Sequence, residues 1–366
     1  MNISELLKLV VKEGASDLHL AVGAPPTMRV NGELARLGIP PLAPANTESF
    51  AREILTGEKY SQFEAKGELD VSYSYSGLGR FRVSVYHQRG TVGLVFRVIS
   101  TEVPDLVTLG LPDVITKLTE RSKGLIIVAG PARSGKSTTL AAMVNYINRQ
   151  RQCHILTIEN PIEYLHCHKE GLVNQREIGS DSLSFSSALK SALRQDPDVI
   201  MVSEMADPET VSTVITAAET EHLVMASMYA GDVPQALNRI LELYPEHMHQ
   251  HIRVQLANNL LGIIVQRLLP RKDDKGMIAA VEFLVVTPAI RNMIRQGQTE
   301  QIYTLMKSGA KPGMQSIDTH LKSLYEKGLI KAKDALENAG DWAAMSRHLA
   351  GPASYSEEES GGGFYA

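Results

Sequence analysis

The chain opens with Ile3, Leu6, Leu7, Val10 and Val11 at the spacing of one helical face, which predicts a short amphipathic helix. The period then changes to two. Val71-Ser72-Tyr73-Ser74-Tyr75 and Arg80-Phe81-Arg82-Val83-Ser84-Val85-Tyr86 alternate as half-buried strands do, with Gly77 and Gly79 at the turn between them. Asn31-Gly32 between two further short runs is a hairpin signal, because both positions tolerate the left-handed conformation that tight hairpin turns need. The first hundred residues therefore read as a small, mostly antiparallel α/β domain.

The pattern shifts after the stretch 101–112, where Pro104 and Gly110-Leu111-Pro112 suggest a linker. Beyond it, short uninterrupted apolar runs (Gly124 to Ala129, His154 to Ile158, Asp198 to Val202, His222 to Ser227) alternate with helix-period stretches. Strands without polar alternation are buried on both faces, so this part predicts a parallel sheet covered by helices. From about Thr287 the pattern is helical. The final stretch, 351–366, with its acidic and glycine-rich run, is too polar to fold and reads as a disordered tail. The expected organisation is thus 1–100, a linker 101–112, a second domain with a helical extension over 113–350, and the tail.

Composition narrows the partners. With 37 Lys+Arg against 41 Asp+Glu the net charge is −4, which supplies no basic field for nucleic acid. The two cysteines and the lack of an apolar leader suggest a cytoplasmic setting. No apolar run approaches the roughly 18 to 20 residues that cross a bilayer, so membrane contact is expected only through other proteins. Cys153-His154 and His166-Cys167-His168 lack the spacing of a metal site.

The chemistry is concentrated at Gly130-Pro131-Ala132-Arg133-Ser134-Gly135-Lys136-Ser137, which follows an apolar strand and precedes a helix expected to begin near Thr138. In such a loop the glycines let backbone N–H groups converge on phosphates and the helix start adds positive potential. Lys136 is expected to neutralise the β- and γ-phosphates, Arg133 to point to solvent, and Ser137 to ligate Mg²⁺. A second apolar run ends near Glu204, where an acid can meet the metal shell or polarise an attacking water. Glu159 and Glu163, flanking Asn160-Pro161-Ile162, form another acidic pair at a strand end that could orient water or metal.

These motifs resemble the type IV pilus retraction ATPases, the PilT and PilU proteins of the secretion ATPase superfamily, from Gly14-Ala15-Ser16-Asp17-Leu18-His19-Leu20 to about Leu349. The family's acidic box is matched by Glu159 to Glu163, its Mg-site acid by Glu204, and its histidine box by the stretch beginning at Ala218. Ala289 to Arg295 is similar to a motif that the family needs for motility rather than for hydrolysis. The resemblance implies an N-terminal PAS-like α/β domain and a RecA-like P-loop ATPase domain in a ring of six, with ATP and Mg²⁺ as ligands. It also implies an inner-membrane platform protein as partner, and arginines among Arg80, Arg82 and Arg97 that reach the nucleotide.

Several motif positions depart from the family pattern. Asn160 replaces Asp, Ser203 replaces Gly, Ala206 replaces Arg, and the histidine box reads Ser227-Met228-Tyr229-Ala230, with Glu221 where Gly is usual. Tyrosine supplies neither the imidazole's second nitrogen nor its near-neutral titration. ATP is therefore expected to bind normally and to turn over slowly. Two readings follow: a hexameric motor ATPase of the type IV pilus retraction (twitching motility) machinery, its hydrolysis weakened as in an accessory paralogue, or a non-hydrolysing nucleotide-binding regulatory subunit of a retraction ATPase complex. A RecA-like nucleic-acid translocase is disfavoured by the charge balance.

Overall fold

The computed structural model describes residues 2–307 and 313–350. The tail expected over 351–366 lies outside the described residues. The chain forms two compact units, one running to Glu102 together with Ile162–Cys167, the other comprising Val103–Pro161 and the chain from His168 onward.

In the first unit, strands β1 (Asp17–Leu20), β2 (Thr27–Val30), β3 (Glu33–Arg36), β4 (Glu68–Tyr75), β5 (Gly79–Gln88) and β6 (Thr91–Val98) form one sheet in the order β3-β2-β1-β6-β5-β4. Every pairing in it is antiparallel. The β2–β3 turn places Asn31 at φ 51° and Gly32 at φ 87°, the left-handed pair that a two-residue hairpin requires. The opening helix Ile3–Lys12 is started by a capping box: the Asn2 side chain accepts from Glu5 N at 3.0 Å, and the Glu5 carboxylate accepts from Asn2 N at 3.2 Å. Its Ile3, Leu6, Leu7 and Val10 bury fully against Leu18, Phe81, Val83 and Phe96. Val11 sits at the margin of that stripe and stays exposed.

The second unit holds β7 (Gly124–Ala129), β8 (His154–Glu159), β9 (Leu172–Glu177), β10 (Val199–Val202), β11 (Leu223–Met228), β12 (Leu260–Pro270) and β13 (Met277–Val285). Their order is β13-β12-β7-β11-β10-β8-β9, parallel except for the β12–β13 hairpin. β7, β10 and β11 are buried at every residue, as the unbroken apolar runs predict. The period of two divides β7 between two cores. Leu125, Ile127 and Ala129 pack with helices Pro208–Glu219 and Val233–Glu242, whereas Ile126 and Val128 pack with Leu140, Met143, Val144 and Ile147 of helix Lys136–Gln150.

The stretch 101–112 is not a free linker. Leu106 and Leu111 are buried in the same core as Ile126 and Val128, so from Val103 the chain belongs to the second unit. Three strands, β9, β12 and β13, stand where the sequence reading placed none. The last helices, Ile317–Glu326, Ala332–Glu337 and Trp342–Ala350, pack Leu321, Leu324, Ala335 and Met345 against Leu269 and Ala280 of the hairpin.

Candidate functional site

Strand register builds the site. Ala129 pairs with Met228 and with Val265, and Val202 pairs with Ile158 and Ala226. The carboxyl ends of β7, β8, β10 and β11 therefore share one edge of the sheet, where open parallel sheets bind ligands. The segments that leave this edge are Gly130 to Gly135, Asn160, Ser203-Glu204 and Tyr229.

The loop from Gly130 is specified by contacts that exclude other residues. A Cβ on Gly130, at φ 155°, would stand 2.4 Å from Gln266 O and 2.4 Å from Ser134 Oγ, and one on Gly135, at φ 88°, would stand 2.9 Å from Gln266 Nε2. Gly135 is the N-cap of helix Lys136–Gln150, which begins two residues before the expected Thr138. Pro131, Ala132 and Arg133 are exposed, Arg133 in the left-handed region at φ 60°. Lys136 Nζ donates to Gly130 O at 3.0 Å and Pro131 O at 2.8 Å, and lies 4.4 Å from the centre of the Tyr229 ring. Ser137 and Thr138, half-buried, occupy the first turn.

Gln266, invisible to motif reading, joins the loop to β12. Its amide donates from Nε2 to Ser134 O at 2.7 Å and accepts at Oε1 from Thr139 Oγ1 at 2.9 Å, with the side chain fully enclosed. The signal was present as one amide within the apolar run Leu260 to Leu269. A polar group in a buried strand needs partners, and here the partners are the loop and its helix. A cleft of ≈ 180 Å³ opens beside them, lined by Leu109, Leu111, Thr138, Leu268, Arg271 and Ile278 among others.

The acids occupy defined places. Glu159 ends β8, buried, and its Oε1 accepts from Thr157 Oγ1 at 2.7 Å and Gln175 Nε2 at 3.0 Å, so β8 and β9 hold it together. Glu204 lies just past β10, half-buried. Hydrogen bonds lace this edge, among them Asn160 N to Ser203 Oγ at 3.2 Å, Met205 N to Ser227 O at 2.8 Å, and Ser227 Oγ to Ser203 O at 2.5 Å. Two of the departures from the family pattern, Asn160 and Ser203, thus touch each other.

The remaining expected residues belong to the first unit, Glu163 among them. Arg82 and Arg97 pair directly across β5 and β6, and each like charge has its own acid: Asp70 at 3.2 Å from Arg82, Asp17 at 2.8 Å from Arg97. Arg97 and Ser16 hold the buried Asp17 carboxyl below the usual carboxylate range against the opposing effect of burial. Arg80 pairs with Ser74 on β4. The motif Ala289 to Arg295 forms helix Pro288–Gln296, with Ile290 and Ile294 buried and Asn292 and Arg295 exposed.

Behind the site, β12 and β13 carry charge into the interior. Arg267 donates from Nη2 to Gly231 O at 3.2 Å and from Nη1 to Asn338 O at 2.8 Å. Glu282, paired with Val265 across the hairpin and 1 % exposed, accepts from Val233 N at 2.8 Å. Burial pushes its carboxyl up to about 7, and nearby Asp232 adds to the rise.

The site fits a phosphate chain on the structure's own terms. Its glycines admit no side chain, its lysine is half-buried at the loop, and the buried Ser134 hydroxyl has no hydrogen-bond partner among the described residues. Residues 2–278 match the family described as "Type II/IV secretion system protein". The type IV pilus retraction ATPase PilT of Pseudomonas aeruginosa is 42 % identical over 93 % of this chain and 98 % of its own length. The PilU ATPase of the same organism is 41 % identical over 93 % of this chain and 89 % of its own. A crystal structure of the pilus retraction motor PilT with bound ADP superposes with a TM-score of 0.86 at 43 % identity, over 93 % of this chain and 98 % of that one. With its P-loop fold and its acids at one sheet edge, this chain belongs to the type II/IV secretion system family and, within it, to the pilus retraction ATPases typified by PilT and PilU.

Proposed function

We propose that this retraction ATPase binds ATP at Gly130 to Thr138 and hydrolyses it slowly, as one subunit of a six-membered ring that works beside a faster paralogue. The observation that carries this reading is the convergence, on one edge of one parallel sheet, of the phosphate loop with Glu159 and Glu204. In the proposed arrangement the backbone N–H groups of the loop and the helix start receive the phosphates, and Lys136 neutralises the β- and γ-oxygens. Ser137 and Glu204 would hold Mg²⁺, which when bound draws charge from the γ-phosphoryl group. Glu159, fixed by Thr157 and Gln175, is assigned to orient the attacking water, and Glu163 is assigned to that role on the family resemblance alone. The cleft lined by Leu111, Thr138 and Leu268 has the mixed apolar and hydroxyl character that suits a base and sugar. Arg80, Arg82 and Arg97 are assigned to the nucleotide on the family resemblance.

Slow turnover follows from the altered edge. Phosphoryl transfer asks the protein chiefly for position and charge, so a displaced positioning group costs rate more than affinity. Here Asn160 lacks the family's carboxylate, Ser203 fills the family's glycine position, and Tyr229 stands where an imidazole is usual. The same residues favour a second reading, a nucleotide-binding regulatory subunit without hydrolysis. Among the described residues no helix is long and apolar enough to cross a membrane, and attachment at the inner membrane is proposed to run through a platform protein.

Steady-state ATP turnover by the purified chain, beside Lys136→Ala, tests the proposal. A slow rate that Lys136→Ala abolishes supports the weakened motor. No turnover above that control, with ATP still bound, supports the regulatory subunit, and no ATP binding at all removes both.

A further inference from the structure

Tyr229 does more than replace a histidine. The register of β11 on β7 pairs Met228 with Ala129, so the next residues, Tyr229 and Gly130, leave the sheet side by side. The segment is tied at two points. Tyr229 O accepts from Arg239 Nη1 at 3.0 Å, and Gly231 O accepts from Arg267 Nη2 at 3.2 Å. With its backbone held, the ring, 45 % exposed, lies over the loop, and the Lys136 ammonium stands 4.4 Å from its centre. That distance is well inside the range over which an aromatic face attracts a cation. The same ammonium donates to the carbonyls of Gly130 and Pro131, so ring and loop together bend the lysine back over its own loop.

We propose that the Tyr229 ring is a latch on Lys136 that competes with phosphate for the ammonium and so sets the affinity of the site for nucleotide. The inference rests on the reading of Lys136 as the phosphate-binding lysine. A phosphate oxygen that takes the ammonium must draw it from the ring face and from the two carbonyls. The carbonyl contacts belong to the loop backbone, whereas the ring contact belongs to a side chain that varies independently. Tyr229 is thus a positioning residue: it acts through Lys136. The attraction comes from the ring face rather than the hydroxyl, so phenylalanine preserves the latch, while aliphatic or amide side chains of similar reach release it.

The test is the dissociation constant of a non-hydrolysable ATP analogue with Mg²⁺, measured calorimetrically on the full chain carrying Tyr229→Phe, Tyr229→Leu or Tyr229→Gln. Release of the latch tightens binding by about two- to fivefold in both Leu and Gln variants, the ratio that corresponds to a half-exposed cation–ring contact. Phe binds as the wild type does. A general disturbance of the loop has the opposite sign, since it weakens binding. Affinity that is unchanged or weaker in Leu and Gln overturns the latch, and so does equal tightening in Phe, which would place the effect on the hydroxyl. Lys136→Ala runs alongside. If the wild type fails to bind, or Lys136→Ala binds as tightly, the nucleotide reading itself falls and the latch with it.

Discussion

Gln266 and Ser134, 132 positions apart in sequence, meet through a hydrogen bond of 2.7 Å between the buried amide of one and the backbone carbonyl of the other. The other end of the same amide receives Thr139 Oγ1. One side chain therefore spans the phosphate loop and the first turn of the helix behind it. Gln266→Leu keeps the volume and strands both partners, each an unmet buried group costing about 1–3 kcal/mol. Affinity for an ATP analogue is expected to fall about tenfold or more while the circular dichroism spectrum is retained. Affinity within twofold of wild type would show that the loop holds its shape without the amide.

Gly130 makes the sharpest steric prediction. Its φ of 155° is a conformation that side chains avoid, and a Cβ would lie 2.4 Å from the Gln266 carbonyl, a backbone atom of a strand paired on both sides. Gly130→Ala is expected to abolish nucleotide binding and to lower the melting temperature by several degrees. Gly179→Ala, also at positive φ but with open space around it, is the control: strain is common to both, and the clash belongs to Gly130 alone.

The altered edge predicts a gain. Tyr229→His with Asn160→Asp restores two family residues, and the double variant is expected to turn over ATP faster, with a larger change in rate than in affinity. Because Asn160 N meets Ser203 Oγ, adding Ser203→Gly should not act independently of Asn160→Asp. Turnover no faster in the double variant than in the wild type would mean that these positions do not limit the reaction.

Two buried groups on neighbouring elements titrate in opposite senses. Glu282 has its carboxyl pushed up to about 7, mainly by burial. The folded chain then keeps a proton that the unfolded chain releases, so this contribution is full below the unfolded value of 4.5 and is lost as pH rises toward 7. His320 is pushed down to about 4, again mainly by burial, and its Nδ1 accepts from Val281 N at 2.9 Å. Its contribution is present above 6.5 and is lost as pH falls toward 4. The two slopes oppose each other over most of that interval. Thermal melts across it should show Glu282→Gln losing less stability than the wild type on the alkaline side, and His320→Gln losing less on the acid side. Parallel curves for all three proteins would mean that neither group titrates within this window.

What could be read in advance follows from how locally each feature is encoded. The Asn31-Gly32 hairpin, the buried runs that became β7, β8, β10 and β11, and the phosphate loop are each specified by consecutive residues. Gln266 is a different case, because its meaning depends on β12 lying beside β7, a pairing between residues more than a hundred positions apart. The strands β12 and β13 are hidden in the sequence for a related reason: long apolar runs read equally as buried helix until their neighbours are known. The stretch 101–112 carried the punctuation of a linker, yet Leu106 and Leu111 find a core that only the folded sheet provides. Glu163 lies only four residues from Glu159, but the chain between them passes from one unit to the other.

Gln266 and Arg267 are consecutive, so the pleat of β12 sends one toward the phosphate loop and the other toward Gly231 and Asn338. A deletion or insertion of one residue upstream in this strand would exchange their directions, putting a guanidinium under the loop and an amide against the C-terminal helices. The length of the Asp273-Asp274-Lys275-Gly276 turn beyond the strand does not enter this alternation, whereas the count of residues before it does. The nucleotide loop and the terminal helices are inherited as one measured piece.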